Sequence, residues 1–150
     1  MKIAIGNDHM AVDMKNHIKK YLEDKGHTIV NFGTDTPDRT DYPIYAKKVA
    51  DSVVSKECEL GILICGTGIG ISIAANKVKG IRAAVCSEPY SAARTRQHNN
   101  ANIIAFGAKV IGAATAETIV DAFINAEYEG GRHARRVDMI SDIEEGKFNV

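Results

Sequence analysis

Short apolar runs alternate with amphipathic stretches along the whole chain. Lys2–Ile5 is the first run and ends at Gly6-Asn7-Asp8-His9. From about Met10 to Asp24, Met14, Ile18 and Leu22 recur every four positions, which predicts a helix with one apolar face. Gly26 follows it as a helix-terminating residue. Thr28–Phe32 reads as a second strand, Asp38–Pro43 as a polar turn, and Ala46, Val49, Ala50 and Val53 as the buried face of a helix reaching about Ser55. Leu60–Ile64 is a third strand, and a short apolar helix spans Ile71–Lys77. Ile81–Cys86 predicts strand four, Pro89–Gln97 a helix with proline in its first turn, and Asn102–Phe106 strand five. A helix over Ala113–Ala126 stops before Gly130-Gly131, and a last helix starts near Arg132.

Nearly continuous apolar strands separated by helices indicate a parallel sheet covered on both faces. The expected fold is α/β: one three-layer, Rossmann-like domain over residues 1–150, with five parallel strands in the order 2-1-3-4-5 and a C-terminal helix. In such sheets ligands bind beyond the carboxyl ends of the strands. That rule selects Asp8 and His9, the turn Cys65–Gly70, and Ser87 with Glu88.

Composition narrows the chemistry. With 150 residues, 45% hydrophobic, 25% charged and a formal net charge of zero, the chain is an ordinary globular one with no global pull toward nucleic acid or membrane. No stretch approaches the roughly 18 apolar residues of a membrane span. Met1 leads directly into a strand, so no secretory leader is expected. Three cysteines, Cys58, Cys65 and Cys86, are odd in number and lack metal-ligand spacing, which fits a reduced, cytoplasmic setting without disulfides or zinc.

The most informative segment is Glu59–Gly70, a buried strand that runs into Cys65-Gly66-Thr67-Gly68-Ile69-Gly70. A thiol beside a cluster of backbone N–H groups is a place where a proton can be moved and an oxyanion held. A free cysteine can equally be a small buried apolar residue. The glycines also invite a dinucleotide-binding reading, with Glu88 at about the distance of a ribose ligand. The third glycine of that fingerprint falls on Ile71, however, and no Gly-Lys-Ser/Thr follows for a Walker-type loop. Asp8 suits a helix cap as well as a site. His98 sits at a helix end where a cationic imidazole favours the dipole. Arg132 and Arg136 share a helical face, suited to solvent or to a phosphate monoester.

Taken together, these segments resemble the type B ribose-5-phosphate isomerases, in the family that includes galactose-6-phosphate isomerase subunits. The resemblance runs from Lys2 to about Glu145 through Gly6–His9, Arg39–Pro43, Ile64–Lys77, Gly80–Ser91, Arg96–Asn99 and Glu129–His133. It implies an aldose–ketose isomerase acting on ribose 5-phosphate and ribulose 5-phosphate through an enediolate, without metal or cofactor. By the same resemblance, Cys65 is the base, Thr67 sits beside it, and the N–H groups of Gly66, Gly68, Ile69 and Gly70 hold the enediolate oxygens. His98 assists ring opening and Asp8 works on the sugar hydroxyls. His9, Arg132 and Arg136 bind the phosphate, while Tyr42 and Asn99 line the pocket. Family members are homodimers with shared sites, in some cases tetramers.

Five positions refine the comparison. A branch of the family places a glutamate base where this chain has Ile71, so here the base must be Cys65. His98 favours the ribose-5-phosphate branch, because galactose-6-phosphate isomerase chains of the Cys-Gly-Thr-Gly type tend to lack that histidine. Lys109 stands where an arginine often contacts phosphate, keeping the charge but not the bidentate fork. Ala11 and Asn7 are pocket-wall positions that bear on sugar length.

Overall fold

The computed structural model of residues 1–150 contains one five-stranded sheet and six α-helices. In chain order these are β1 (Lys2–Asn7), α1 (Val12–Asp24), β2 (Thr28–Asn31), α2 (Tyr42–Val54), β3 (Leu60–Cys65), α3 (Ile69–Ala75), β4 (Ala83–Val85), α4 (Pro89–Asn99), β5 (Ile103–Gly107), α5 (Ala113–Ile124) and α6 (Arg132–Glu144). A 3₁₀ turn, His9–Ala11, precedes α1. Every strand pairing is parallel. No helix is long and apolar enough to cross a membrane.

Alternation along the central strands sorts their side chains into two layers. Leu60, Ile62 and Ile64 of β3, with Ile104 and Phe106 of β5, join Ile18, Leu22, Ile119 and Phe123 in a cluster under α1 and α5. Leu63 and Cys65 of β3, with Ile103 and Ala105 of β5, face the other way and pack with Val49 and Val53 of α2 and Ile71 of α3. Cys65 therefore points toward the α2–α3 layer, which fixes the side of the sheet on which its chemistry can occur.

The strand order is β2-β1-β3-β5-β4, so the expected order 2-1-3-4-5 is corrected at its last two members. All of β5 is buried, whereas β4 is half-buried to exposed, and the more apolar strand takes the interior place beside β3. Shorter than the expected Ile81–Cys86, β4 forms an edge. Asn76 completes that edge: its side-chain amide donates to Ala83 O (2.9 Å), and its Oδ1 accepts from Ala83 N (2.8 Å). A side chain thus occupies the position of a missing strand, one way of blunting an edge. Helix α3 starts two residues earlier than the apolar pattern suggested, because Gly68, at φ +79°, turns the chain directly into it.

Candidate active site

The carboxyl edge of the sheet gathers one group of the expected residues. Because β1 and β3 are neighbours, Asn7 lies beside Ile64, and Asp8 N donates to Ile64 O (3.3 Å). Asp8 and Cys65 thus leave adjacent strands, each only 5% exposed. The Asp8 carboxylate also accepts from Met10 N (3.0 Å), so it caps the 3₁₀ turn as its residue type suggested. His9 is half-buried, and its Nδ1 lies 3.2 Å from both the N–H and the carbonyl oxygen of Thr40. That contact engages Nδ1 and leaves Nε2 as the ring nitrogen without a partner in the chain.

The glycine turn holds the thiol. Gly68 N donates to Cys65 Sγ at 3.1 Å, an interaction that a thiolate accepts more strongly than a thiol. Thr67 Oγ1 accepts from Ile69 N (3.2 Å), while Ala108 N and Lys109 N donate to the carbonyls of Cys65 (2.9 Å) and Gly66 (3.0 Å). These bonds anchor the turn to the segment after β5 and bring exposed Lys109 to the same edge. Gly70 allows a close approach of Tyr42: a Cβ at Gly70 would lie 2.7 Å from the ring carbon Cζ. Ile71 is fully buried in the cluster that contains Cys65, so it adds an apolar wall and no base.

The other two thiols offer no alternative nucleophile. Burial pushes Cys86 up to about 11 and also raises Cys58, so both stay protonated at neutral pH. Glu88 is likewise occupied: its carboxylate accepts from Ser91 N (2.9 Å) as the cap of α4, which removes it as a ribose ligand.

A second group lies at the opposite edge. Helix α4 runs back from the end of β4 to the start of β5, so His98 and Asn99 fall at the amino edge of the sheet. Arg82, just before β4, confirms this placement by donating from Nε to Asn99 O (3.1 Å). Glu129 N donates to Gln97 O (3.0 Å), which brings the start of α6, with exposed Arg132 and Arg136, to the same corner. Five residues of β5 separate the two edges, roughly 17 Å of strand. Within one chain, His98, Asn99, Arg132 and Arg136 therefore do not meet Cys65, Thr67, Asp8, His9 or Tyr42.

Two residues given no role from the sequence, Glu129 and His133, complete this second group. The His98 and His133 rings stack with centroids 4.2 Å apart and 9° between planes. Glu129 Oε2 lies 3.7 Å from His98 Nε2 and 3.4 Å from His133 Nε2. The three donor atoms fall within 4.8 Å of one another, close enough for a metal. Neither carboxylate contact is a hydrogen bond: His133 Nε2 has no partner, and His98 Nε2 lies 3.7 Å from the carboxylate. Glu129 precedes α6 across Gly130-Gly131, so no helical spacing in the sequence pointed to this contact.

The cavities of the single chain reflect this division. One of about 930 Å³ at the carboxyl edge is lined by His9, Lys109, Met10, Asp13, His17 and Asp35 among others. Cys65 lines none of the four cavities, and neither do Arg132 and Arg136.

A doubly wound parallel sheet with its polar residues and a glycine turn at the carboxyl edge is the architecture of α/β proteins that take small ligands at their strand ends. Within that class the chain belongs to the Ribose/Galactose Isomerase family, whose pattern matches residues 3–140. It is 54% identical over 144 residues to ribose-5-phosphate isomerase B of Escherichia coli, covering 96% of this chain and 97% of that protein. It is 47% identical over 145 residues to D-erythrulose-4-phosphate isomerase of Pectobacterium atrosepticum, covering 96% and 95%. Among solved structures, ribose-5-phosphate isomerase B of Clostridium thermocellum superposes with a TM-score of 0.96 at 51% identity, over 99% of this chain and 100% of that one.

Proposed function

We propose that this chain interconverts ribose 5-phosphate and ribulose 5-phosphate, in a site completed by a second copy of itself. The observation that carries the mechanism is the Gly68 N–H aimed at Cys65 Sγ, on a thiol that leaves the sheet beside Asp8. The Cys65 thiolate takes the hydrogen from C2 of the open-chain aldose and returns it to C1. The enediolate that forms between these steps is held by N–H groups of the Gly66–Gly70 turn, with Thr67 beside it. General acid–base groups contribute about 10²–10⁴-fold each, and oxyanion donors a similar factor.

Before that step the furanose must open. His98 protonates the ring oxygen while Asp8 accepts from the sugar hydroxyls. Because His98 lies at the amino edge of its own sheet, it has to reach Cys65 from a neighbouring subunit, together with Asn99, Arg132 and Arg136. His9 and Lys109 then meet the phosphate from one side and the two guanidiniums from the other, with Tyr42 along the wall. Exposed apolar residues near the turn, Ile69 and Ile73, give such an interface an apolar component. A homodimer is the smallest assembly that satisfies this geometry, and pairing into tetramers is compatible with it.

The preference for a five-carbon substrate is supported by the likeness to the two ribose-5-phosphate isomerases. Coupled assays across four-, five- and six-carbon aldose phosphates test it. The highest kcat/KM is expected for ribose 5-phosphate, and a higher value for another sugar would overturn the substrate while leaving the reaction class. For the base, Cys65→Ala should abolish turnover with the circular dichroism spectrum and sugar-phosphate binding retained. Near wild-type turnover by that variant would exclude Cys65.

A further inference from the structure

Glu129 and His133 take no part in the steps above, yet they enclose the side chain assigned to ring opening. Four groups that are or can become cationic crowd this corner: His98, His133, Arg132 and Arg136. Glu129 is the carboxylate beside both imidazoles, 3.7 Å from His98 Nε2 and 3.4 Å from His133 Nε2. The His133 side chain is only 9% exposed, and its Nε2 has no hydrogen-bond partner. Burial first, then the neighbouring His98 and Arg132, hold His133 below the ordinary imidazole range. His133 therefore lies under His98 as a neutral, flat platform. His98 itself is half-exposed, and its Nδ1 makes no hydrogen bond within the chain.

We infer that Glu129 is a positioning residue for ring opening: it draws Nε2 of His98 toward its carboxylate and leaves the Nδ1–H facing outward as the proton donor, with the His133 ring fixing the plane. This inference rests on the reading of His98 as the ring-opening acid. In the step itself the bond from C1 to the ring oxygen breaks and its electron pair stays on oxygen. That oxygen takes the proton from His98, while the anomeric hydroxyl gives its proton to Asp8 as C1 becomes a carbonyl. Glu129 approaches the ring from its Nε2 side, 3.7 Å away, and the stacked His133 ring keeps it from turning.

The chemistry of the two sugars separates this role from a structural one. Ribose 5-phosphate closes a five-membered ring through its C4 oxygen and must be opened. Ribulose 5-phosphate cannot close such a ring, because its C5 oxygen is esterified, so the proton transfer from it begins at once. With enzyme in excess over substrate, Glu129→Gln should slow the single turnover of ribose 5-phosphate by about 10–10²-fold and leave the consumption of ribulose 5-phosphate within about twofold. Glu129→Asp, which keeps the charge, should recover part of the loss. Equal slowing from both sugars, or no slowing from either, would overturn the assignment. His98→Asn serves as the reference. If it too slows both directions equally, the reading of His98 as the ring-opening acid fails. If it shows the asymmetry and Glu129→Gln does not, only the role of Glu129 is lost.

Discussion

Gly68→Ala strikes the sheet and the proposed chemistry together. Gly68 has φ +79°, and a residue with a Cβ pays about 1–2 kcal/mol to hold that conformation. The added methyl would lie 2.7 Å from Cα and C and 2.9 Å from N of Phe106, the backbone of an interior strand that cannot swing aside. Overpacking of that kind costs about 1–3 kcal/mol, so the loss is about 2–5 kcal/mol against a typical total of about 5–15. At about 2–4 °C per kcal/mol for a chain of this size, Tm should fall by roughly 4–20 °C. The same shift would turn the Gly68 N–H away from Cys65 Sγ, with an expected fall in kcat of about 10²-fold. Gly70→Ala is the control. Its methyl meets the far end of Tyr42, a partly exposed ring that can rotate away, so the melt should stay near wild type while KM changes. Thermal unfolding and isomerase kinetics on both variants decide the matter. A Gly68→Ala protein that melts with the wild type and turns over at its rate would refute the reasoning.

Other outcomes are as specific. Lys15 is fully buried and pairs with the exposed Asp35, so Asp35→Asn should cost more stability in urea titrations than Lys15→Met, by about 1–3 kcal/mol. His9→Ala should raise KM for the sugar phosphate about tenfold or more with a smaller change in kcat, since Nδ1 is engaged with Thr40 and Nε2 is the ring nitrogen left for the anion. Cys86 is raised from an ordinary value of 9.0 to about 11, so the unfolded thiol ionises before the folded one. Its contribution is intact below pH 9 and is lost as the pH rises toward 11; Cys86→Ala should show a flatter decline of Tm over that interval.

The layered α/β fold was legible because each helix carries a clear apolar face and each strand a short apolar run, as in Met14, Ile18 and Leu22 against Leu60–Ile64. The adjacency of Asp8 and Cys65 followed once β1 and β3 were neighbours. The exchange of β4 and β5 was not legible. Ala83–Val85 and Ile103–Gly107 are both apolar, and their places depend on total burial and on the Asn76 side chain that finishes the edge. Nor could residue spacing give the stacking of His98 on His133 or its shared Glu129, which depend on how α6 docks against α4. The direction of α4, which carries His98 to the edge opposite Cys65, is what leads to the proposal of a site shared between two chains.

Complementation tests that proposal most directly. Cys65→Ala and His98→Asn proteins, each inactive alone, are unfolded together, refolded as a mixture and assayed on ribose 5-phosphate. Sites built from two chains predict that about a quarter of all sites in a random mixture of dimers regain both wild-type groups, with activity returning in proportion. A mixture as inactive as its components would show that the thiol and the imidazole do not act across subunits.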